Sequence, residues 1–296
     1  MISVITTTFN RSELLNTLYQ SLCEQTDKNF DWVIIDDGST DNTKKVVSQW
    51  IDENKVNIKY YYEQNHGKHC ALNYAFDLVQ SEFCINVDSD DYLDLDAIKI
   101  LNENAQLMSD DVWAIVGPRV HSNGQLEKEW LVKDFEKIKF AQLYNKFGYR
   151  GETYILFKTK CVKNIKFPIY DNERLVPENY LYDKLDKALY VLTFSKRICI
   201  SDYKADGYTK NSNKVLCRSP KGVALSNLSY SSNSYNWFIK RCISYARFKS
   251  ITKIFGIDKK CFEKYKIWLS CRFFGNLAYP LVYFRYKKKL KNEKID

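Results

Sequence analysis

The chain has 296 residues, a net charge of +9, 45% hydrophobic and 27% charged residues. This composition is that of a globular protein with a full core, and it excludes a disordered chain. The nine cysteines form no C-x-x-C pair and several lie in apolar patterns, so we expect free thiols and a reducing, cytoplasmic setting. Residues 1–5 lack the features of a signal peptide, and no run of about 18 uncharged apolar residues predicts a membrane span.

The positive charge is concentrated at the carboxyl end. Residues 236–296 contain 16 Lys and Arg against 4 Asp and Glu, a net charge of +12, which leaves −3 for residues 1–235. We therefore predict a main domain over 1–220 and a basic, aromatic-rich helical tail over 221–296. Such a tail suits helices that lie on an anionic membrane surface, although it could instead pack as a cap on the rest of the protein.

The amino-terminal third alternates between two kinds of pattern. Apolar or β-branched runs that predict strands lie at 2–7, 30–35, 58–62 and 83–87, and amphipathic segments that predict helices lie between them, the first capped by Ser12. This β-α-β-α-β-α-β order predicts an α/β fold with a central, mostly parallel sheet and helices on both faces. Right-handed crossovers then place all four strand ends on one edge.

That edge gathers side chains with the chemistry to hold a nucleotide. Asp37 can accept the N3–H of uracil, Phe9 can pack on the base, and Lys68 can offset phosphate charge. Asp88 and Asp90 are two residues apart on a turn, so their oxygens can converge on ribose and on a hard cation such as Mg²⁺ or Mn²⁺. The alternative is an aspartate-rich turn that caps a helix beginning near Leu95.

Four motifs in order carry a family resemblance: Thr-x-Phe-Asn-Arg at 7–11, Val-Ile-Ile-Asp-Asp-Gly-Ser-Thr-Asp at 33–41, Asn-x-Gly-Lys-x-x-Ala-Leu-Asn at 65–73 and Val-Asp-Ser-Asp-Asp at 87–91. The chain resembles the family 2 nucleotide-sugar glycosyltransferases of bacterial surface-polysaccharide type, which have the Rossmann-like GT-A fold. The resemblance implies an inverting hexosyltransferase with a UDP-sugar or related donor and Mn²⁺ or Mg²⁺. It assigns the nucleotide to Thr7, Phe9, Asp37, Lys68 and Asp88, and the metal to Asp90 with Asp88.

A second acidic cluster, at 173–185, offers the carboxylate base that an inverting transfer needs. Relatives usually carry Glu-Asp here, followed about 25 residues later by Tyr-Arg, whereas this chain has Glu178-Asn179 and Tyr203-Lys204. Asn thus replaces the usual base. Either Glu178 acts as the base, which we favour, or Asp183, near the same helix face, acts in its place. Without catalysis, an acid after Pro177 would simply suit a helix's first turn.

The segment 201–219 resembles the loop that folds over the donor diphosphate in relatives, where Lys204, Lys210 and Lys214 could add positive charge. A solvated loop explains these lysines as well.

The combined prediction is an inverting, metal-dependent enzyme that transfers a sugar to a hydroxyl of a glycan or lipid-linked acceptor in surface-polysaccharide synthesis. We expect it in the cytoplasm, peripherally bound to the inner face of the cell membrane. One alternative is a non-catalytic nucleotide- or glycan-binding module, which the Asn at position 179 would favour. Another is a nucleic-acid-binding protein acting through the basic tail, although no nucleic acid is expected as a partner.

Overall fold

The structure, a computed structural model, describes residues 1–126, 128–201, 212–262 and 265–290. The strands in these ranges are β1 (Ile2–Thr8), β2 (Phe30–Asp36), β3 (Ile58–Tyr62), β4 (Phe83–Asn86), β5 (Tyr92–Leu93), β6 (Val112–Pro118), β7 (Lys137–Ile138), β8 (Thr153–Lys158), β9 (Tyr190–Thr193) and β10 (Cys199–Ile200). The helices are α1 (Ser12–Cys23), α2 (Thr43–Glu53), α3 (Lys68–Leu78), α4 (Ala97–Ala105), α5 (Phe140–Asn145), α6 (Thr159–Lys163), α7 (Asn179–Asp186), α8 (Ser212–Arg218), α9 (Pro220–Ser232), α10 (Phe238–Ile254) and α11 (Leu269–Leu290), with a short 3₁₀ helix at Lys259–Phe262.

Within the described residues, eight strands form one sheet in the order β3-β2-β1-β4-β8-β6-β9-β7. The first four of these strands are mutually parallel, as predicted. Strand β8 runs antiparallel to both of its neighbours, and β7 runs antiparallel to β9. The predicted central, mostly parallel sheet flanked by helices is confirmed, and four strand ends share one edge.

Aromatic packing fixes α1 and α2 on one face of the sheet. The ring of Tyr19 in α1 stacks on that of Trp50 in α2 with centroids 4.3 Å apart, and Trp50 lies 6.0 Å from Trp32 of β2. All three side chains are buried. Aromatic pairs of this kind contribute about 1 kcal/mol each beyond the burial of their area. They pack both helices against β2.

Asp41 links the starts of the first two helices, which corrects one expectation. Helix α1 begins at Ser12, and its N-cap residue is Arg11, whose side chain makes no capping hydrogen bond. Instead the Ser12 N–H donates to Oδ2 of Asp41 at 3.1 Å, and the Thr43 N–H donates to Oδ1 at 3.0 Å. One carboxylate therefore satisfies an orphan N–H at each helix end. A cap supplied from 29 residues away cannot be read from local sequence.

Packing divides the chain into two compact units. One unit comprises Met1–Lys166 with Leu189–Asp202, and the other comprises Phe167–Ala188 with Tyr203–Asp296. The first contains the whole sheet, and the second contains α7 together with α8 to α11. The predicted boundary at residue 220 stays a prediction.

In the second unit, α11 packs closely against α10. A Cβ atom on Gly275 would lie 2.9 Å from the backbone oxygen of Cys242, so glycine permits this approach. The Sγ atoms of Cys242 and Cys271 are 3.9 Å apart, and all nine cysteines of the chain are free thiols. Across the described ranges, no helix has an apolar stretch of the length needed to cross a membrane.

Candidate active site

The acidic turn after β4 meets cations from two other chain segments. Nζ of Lys68, the first residue of α3, donates to Oδ1 of Asp88 at 2.8 Å. Nη1 of Arg11, just before α1, donates to Oδ1 of Asp90 at 3.2 Å. The structure thus brings together Lys68, Asp88 and Asp90, because the segments that carry them follow parallel strands of one sheet.

Arg119 also contacts this turn, and the sequence reasoning missed it. Nη1 of Arg119 donates to Asp91 and lies 3.5 Å from Oε2 of Glu152 and 4.0 Å from Oδ2 of Asp88. Arg119 follows β6, which has the same direction as β4 because both are antiparallel to β8. Its strand end therefore lies on the shared edge, although only the insertion of β8 between β4 and β6 gives β6 this direction.

Burial and charge act in opposite directions on these aspartates. Burial disfavours the ionised form of Asp88, but Lys68 and Arg119 outweigh it and hold the pKa of Asp88 well below its usual value. At Asp91 burial prevails over the attraction of Arg119, and the negative charge of Asp88 adds to it, so the pKa rises to about 6. Asp88 is thus ionised at neutral pH, whereas the pKa of Asp91 lies close to neutral pH.

Asp37 fixes the loop that precedes α3. Its Oδ1 accepts the His66 N–H at 2.7 Å, and its Oδ2 accepts the Gly67 N–H at 2.9 Å. The side chain is buried, with 4% exposed. Both oxygens of the Asp37 carboxylate therefore bind backbone groups of this loop. Contact between Asp37 and uracil stays a prediction.

Thr7 and Phe9 lie at the end of β1 with different exposure. Thr7 is the penultimate residue of the strand and is 9% exposed, whereas the Phe9 ring, just beyond the strand, is 45% exposed. An exposed ring at a strand end provides a face on which a nucleobase can stack. The nucleotide roles of both residues stay predictions.

The buried polar atoms near this edge that lack partners among the described residues include Oε1 of Glu63, which follows β3, and Oδ1 of Asn86, the last residue of β4. Burial, with a contribution from Asp37, raises the pKa of Glu63 to about 6. The Nδ2 of Asn86 donates to Oδ1 of Asp88 at 3.1 Å. Both residues follow from the strand-end rule and were missed because neither belongs to a recognisable motif.

The oxygen atoms of the acidic turn fit a hard divalent cation. Asp88 and Asp90 present carboxylate oxygens, which Mg²⁺ and Mn²⁺ prefer as ligands, whereas Asn86 turns its amide Nδ2 toward Asp88. Within the ranges that the structure describes, no three His, Cys, Asp or Glu side chains group as a metal site. A cation here would therefore take further ligands from phosphate and water.

The second acidic cluster lies at the start of α7, in the second unit. Glu178 immediately precedes the helix and is partly exposed. Its Oε2 accepts a hydrogen bond from Oη of Tyr182 at 2.6 Å, one turn along α7. This bond orients a carboxylate that solvent or a ligand can still reach.

Asp183 has a different environment, because it is 6% exposed and held by three amides. Its Oδ1 accepts from Nδ2 of Asn233 and of Asn236, each at 3.1 Å, and its Oδ2 accepts from Nδ2 of Asn179 at 3.2 Å. Burial nevertheless raises the pKa of Asp183 to about 6, with the charge of Asp186 adding to the effect. Through Asn233 and Asn236, the Asp183 carboxylate connects α7 to the segment after α9.

Glu173 shows that the acid-rich stretch also has a structural task. Its two oxygens accept the backbone N–H groups of Lys221 and Gly222, each at 2.9 Å, at the start of α9. A Cβ atom on Gly222 would lie 2.0 Å from the backbone oxygen of Leu175. Glu173 and Gly222 together therefore fix the segment that leads to Glu178.

Of the predicted diphosphate loop, Tyr203, Lys204 and Lys210 lie outside the described residues. Lys214 lies within α8.

Comparisons with known proteins agree with the geometry. The family model described as "Glycosyl transferase family 2" matches residues 3–166. The GalNAc(5)-diNAcBac-PP-undecaprenol beta-1,3-glucosyltransferase of Campylobacter jejuni is 32% identical over 225 residues, which cover 72% of this chain and 70% of that protein.

Two solved structures support the fold. S. aureus TarS 1-349 in complex with UDP-GlcNAc matches with a TM-score of 0.62 and 18% identity, over 97% of this chain and 92% of that one. The mannosyltransferase PcManGT from Pyrobaculum calidifontis, in complex with GDP-Man and Mn²⁺, matches with a TM-score of 0.57 and 15% identity, over 98% and 83%. The predicted GT-A fold is confirmed.

Proposed function

The chain belongs to glycosyl transferase family 2 and is an inverting glycosyltransferase, and from that premise we propose that it transfers a sugar from a UDP-sugar to a hydroxyl of a lipid-linked glycan acceptor. The observation that carries this proposal is the acidic turn at the sheet edge, where Lys68 and Arg11 contact Asp88 and Asp90. The similarity to an enzyme named for a PP-undecaprenol acceptor and to TarS with bound UDP-GlcNAc supports the substrate classes.

We assign the donor to the edge of the sheet. Phe9 would stack on the base, and Thr7 and Asp37 would contact the nucleoside. Lys68 would turn from Asp88 toward the phosphates, because its flexible stem lets a single cation serve either partner. Each of these contacts uses an atom that already lies at the carboxyl end of a strand.

Asp88 and Asp90 would hold Mn²⁺ or Mg²⁺, with Asp88 also contacting the ribose. Such a cation supplies positive charge for the departing diphosphate. The presence of Mn²⁺ with the similar PcManGT supports this assignment. Lys68 and Arg11 each form an ion pair with one of these two carboxylates.

Glu178 would be the base. An inverting transfer requires a carboxylate to remove the proton of the acceptor hydroxyl while its oxygen attacks the anomeric carbon opposite the leaving diphosphate. Glu178 is partly exposed and is oriented by Tyr182. Asp183 is the weaker candidate, because it is buried and three amides occupy its oxygens.

We further propose that the second unit binds an anionic membrane surface at the cytoplasmic face. One face of α11 carries large apolar side chains at helical spacing, each with 61–81% of its surface exposed: Leu269, Phe273, Leu277, Leu281 and Phe284. The opposite side packs on α10 through Cys271 and Gly275. The adjoining lysines at 287–289 supply the charge that attracts acidic lipids.

Transfer is tested by incubating the protein and Mn²⁺ with a panel of nucleotide-sugars and a short-chain lipid-diphosphate glycan, with thermal shift to identify the bound donor. We expect one UDP-sugar to raise the melting temperature and to be consumed. A protein that binds a nucleotide-sugar without transferring or hydrolysing it would instead be a binding module.

Membrane binding is tested by sedimentation with vesicles that contain acidic phospholipid. The double variant Leu277→Glu/Leu281→Glu should bind at least about tenfold more weakly, because it places charge on the apolar face. The matched control is Leu131→Glu, at a leucine that is 63% exposed in the first unit, and it should bind normally. Salt-sensitive binding to DNA or RNA without binding to vesicles would favour a nucleic-acid partner.

A further inference from the structure

The second unit contains a cavity of about 490 Å³ formed by α7, α9 and α10. Its volume lies in the range of small-molecule pockets. Two cations, Lys240 and Arg247, line it, together with the polar side chains of Asn179, Ser226, Tyr230 and Ser244.

The lining of this cavity suits an anion. None of the described residues that line it is acidic, and Ser226 and Ser244 are buried where they face it. Arginine and lysine beside hydroxyl and amide donors form the set that recognises phosphate groups, through charge-assisted hydrogen bonds. The only apolar side chain among the described lining residues is Ile243, so a hydrophobic ligand alone would leave buried polar atoms unmatched.

One wall of the cavity includes Asn179, the residue that follows the proposed base in sequence. Asn179 follows Glu178 directly, and its side chain is held by two neighbours. Oγ of Ser226 donates to its Oδ1 at 2.6 Å, and its Nδ2 donates to Asp183 at 3.2 Å. A ligand in the cavity therefore contacts a fixed residue next to Glu178.

Another wall adjoins an exposed apolar surface. Nζ of Lys240 lies 4.9 Å from the ring centroid of Trp237, which is 54% exposed, and the intervening Ile239 is 71% exposed. The ring of Phe238 is 5.7 Å from that of Phe274 in α11, so this surface continues onto that helix. The cavity thus has the residue after the candidate base in one wall and a lipid-compatible surface beside another.

We propose that this cavity binds the diphosphate of the lipid-linked acceptor, with Lys240 and Arg247 as its cationic ligands. The lipid then lies on the Trp237, Phe238 and Ile239 surface, and the acceptor sugar extends toward Glu178. This inference rests on the proposed transfer to a lipid-linked acceptor. It adds a second phosphate site, separate in sequence and in structural unit from the donor-binding turn.

The test is calorimetric titration of the full chain with farnesyl diphosphate, in the presence of a metal chelator and excess UDP so that the donor site does not contribute. We expect binding that Lys240→Ala and Arg247→Ala each weaken by at least about tenfold, the effect of losing one charge-assisted hydrogen bond. The matched control is Lys253→Ala, at an exposed lysine of α10 that does not line the cavity, and it should bind as the wild type does.

Two further ligands identify the source of the phosphate. Farnesol, which lacks the diphosphate, should bind at least tenfold more weakly, and inorganic diphosphate should also bind more weakly because it lacks the lipid. Equal binding of inorganic and farnesyl diphosphate would refute the assignment to a lipid-linked acceptor. Equal weakening of binding by Lys253→Ala, or no binding of farnesyl diphosphate, would refute the assignment of the binding site to this cavity.

This titration needs no sugar transfer, so its failure is distinguishable from failure of the proposed function. A protein that binds farnesyl diphosphate in the cavity but transfers no sugar would refute only the transfer. Conversely, transfer that is equally fast with Lys240→Ala and Arg247→Ala at low acceptor concentration would refute only the cavity.

Discussion

Replacing Glu178 by glutamine separates catalysis from stability at the proposed base. Glutamine keeps the side-chain shape and an oxygen that can accept the 2.6 Å bond from Tyr182, but it cannot take a proton. Loss of a general base lowers turnover by about 10²- to 10⁴-fold, or about 3–5 kcal/mol in the activation barrier. Because Glu178 is partly exposed, the free energy of unfolding should change by less than about 1 kcal/mol.

The assay measures kcat and donor KM by release of UDP, and measures unfolding separately by thermal denaturation. The comparison variant is Asp183→Asn, which should keep turnover within about threefold of the wild type, since Asp183 is buried and bound by three amides. An inactive Asp183→Asn with normal donor binding, beside an active Glu178→Gln, would refute our assignment of the base.

Three further predictions concern the metal, the packing and the pH response. Asp90→Ala should abolish transfer and Mn²⁺-dependent UDP binding together, measured by calorimetry; activity that persists in this variant under chelation would contradict the metal assignment. Gly222→Ala should lower the free energy of unfolding by about 2 kcal/mol, because its Cβ would lie 2.0 Å from the Leu175 oxygen, although helix propensity alone predicts a gain of about 1 kcal/mol. Burial raises the pKa of Asp183 to about 6, so its ionisation opposes folding. The contribution of Asp183 to the free energy of unfolding is largest below its unfolded pKa, near 3.8, and is lost as the pH rises through about 6. Between pH 3 and pH 7 the free energy of unfolding of the wild type should therefore fall by about 3 kcal/mol relative to that of Asp183→Asn. Equal pH dependence of the two unfolding free energies across that range would contradict this.

The cluster of charged residues at the sheet edge was predictable because these residues obey one local rule. Each strand run could be read from the sequence, and parallel strands end on the same edge, so Lys68, Asp88 and Asp90 could be grouped from positions spread along the chain. Their contacts in the structure agree with that grouping.

Arg119 was missed because its place depends on a non-local strand order. The strand at 112–118 follows β4 in sequence, yet β8 lies between the two in the sheet, and only the antiparallel insertion of β8 gives β6 its direction. No periodicity in the residues around Arg119 encodes that insertion.

The environment of Asp183 could not be predicted for a similar reason. The sequence reasoning placed it near the same face as Glu178, but the amides that bind it include Asn233 and Asn236, about 50 positions away. Helical periodicity indicates which side of a helix is buried, not which polar groups meet it there. Residues five apart lie about 140° apart around a helix, so the two acids do not share a face, and the choice between them required the tertiary structure.

The hydrogen-bond chain from Ser226 through Asn179 to Asp183 couples the side chain at position 179 to the protonation state of Asp183. The amide of Asn179 accepts from the serine and donates to the buried carboxylate, a polarity that an ionised aspartate at 179 cannot reproduce. Asp at position 179, the residue usual in relatives, would place two carboxylates about 3 Å apart, and the pair would have to share a proton. Restoring the family's Glu-Asp sequence by Asn179→Asp alone should therefore destabilise the folded protein. The paired change Asn179→Asp with Asp183→Asn would keep the hydrogen bond between the two positions, with its direction reversed.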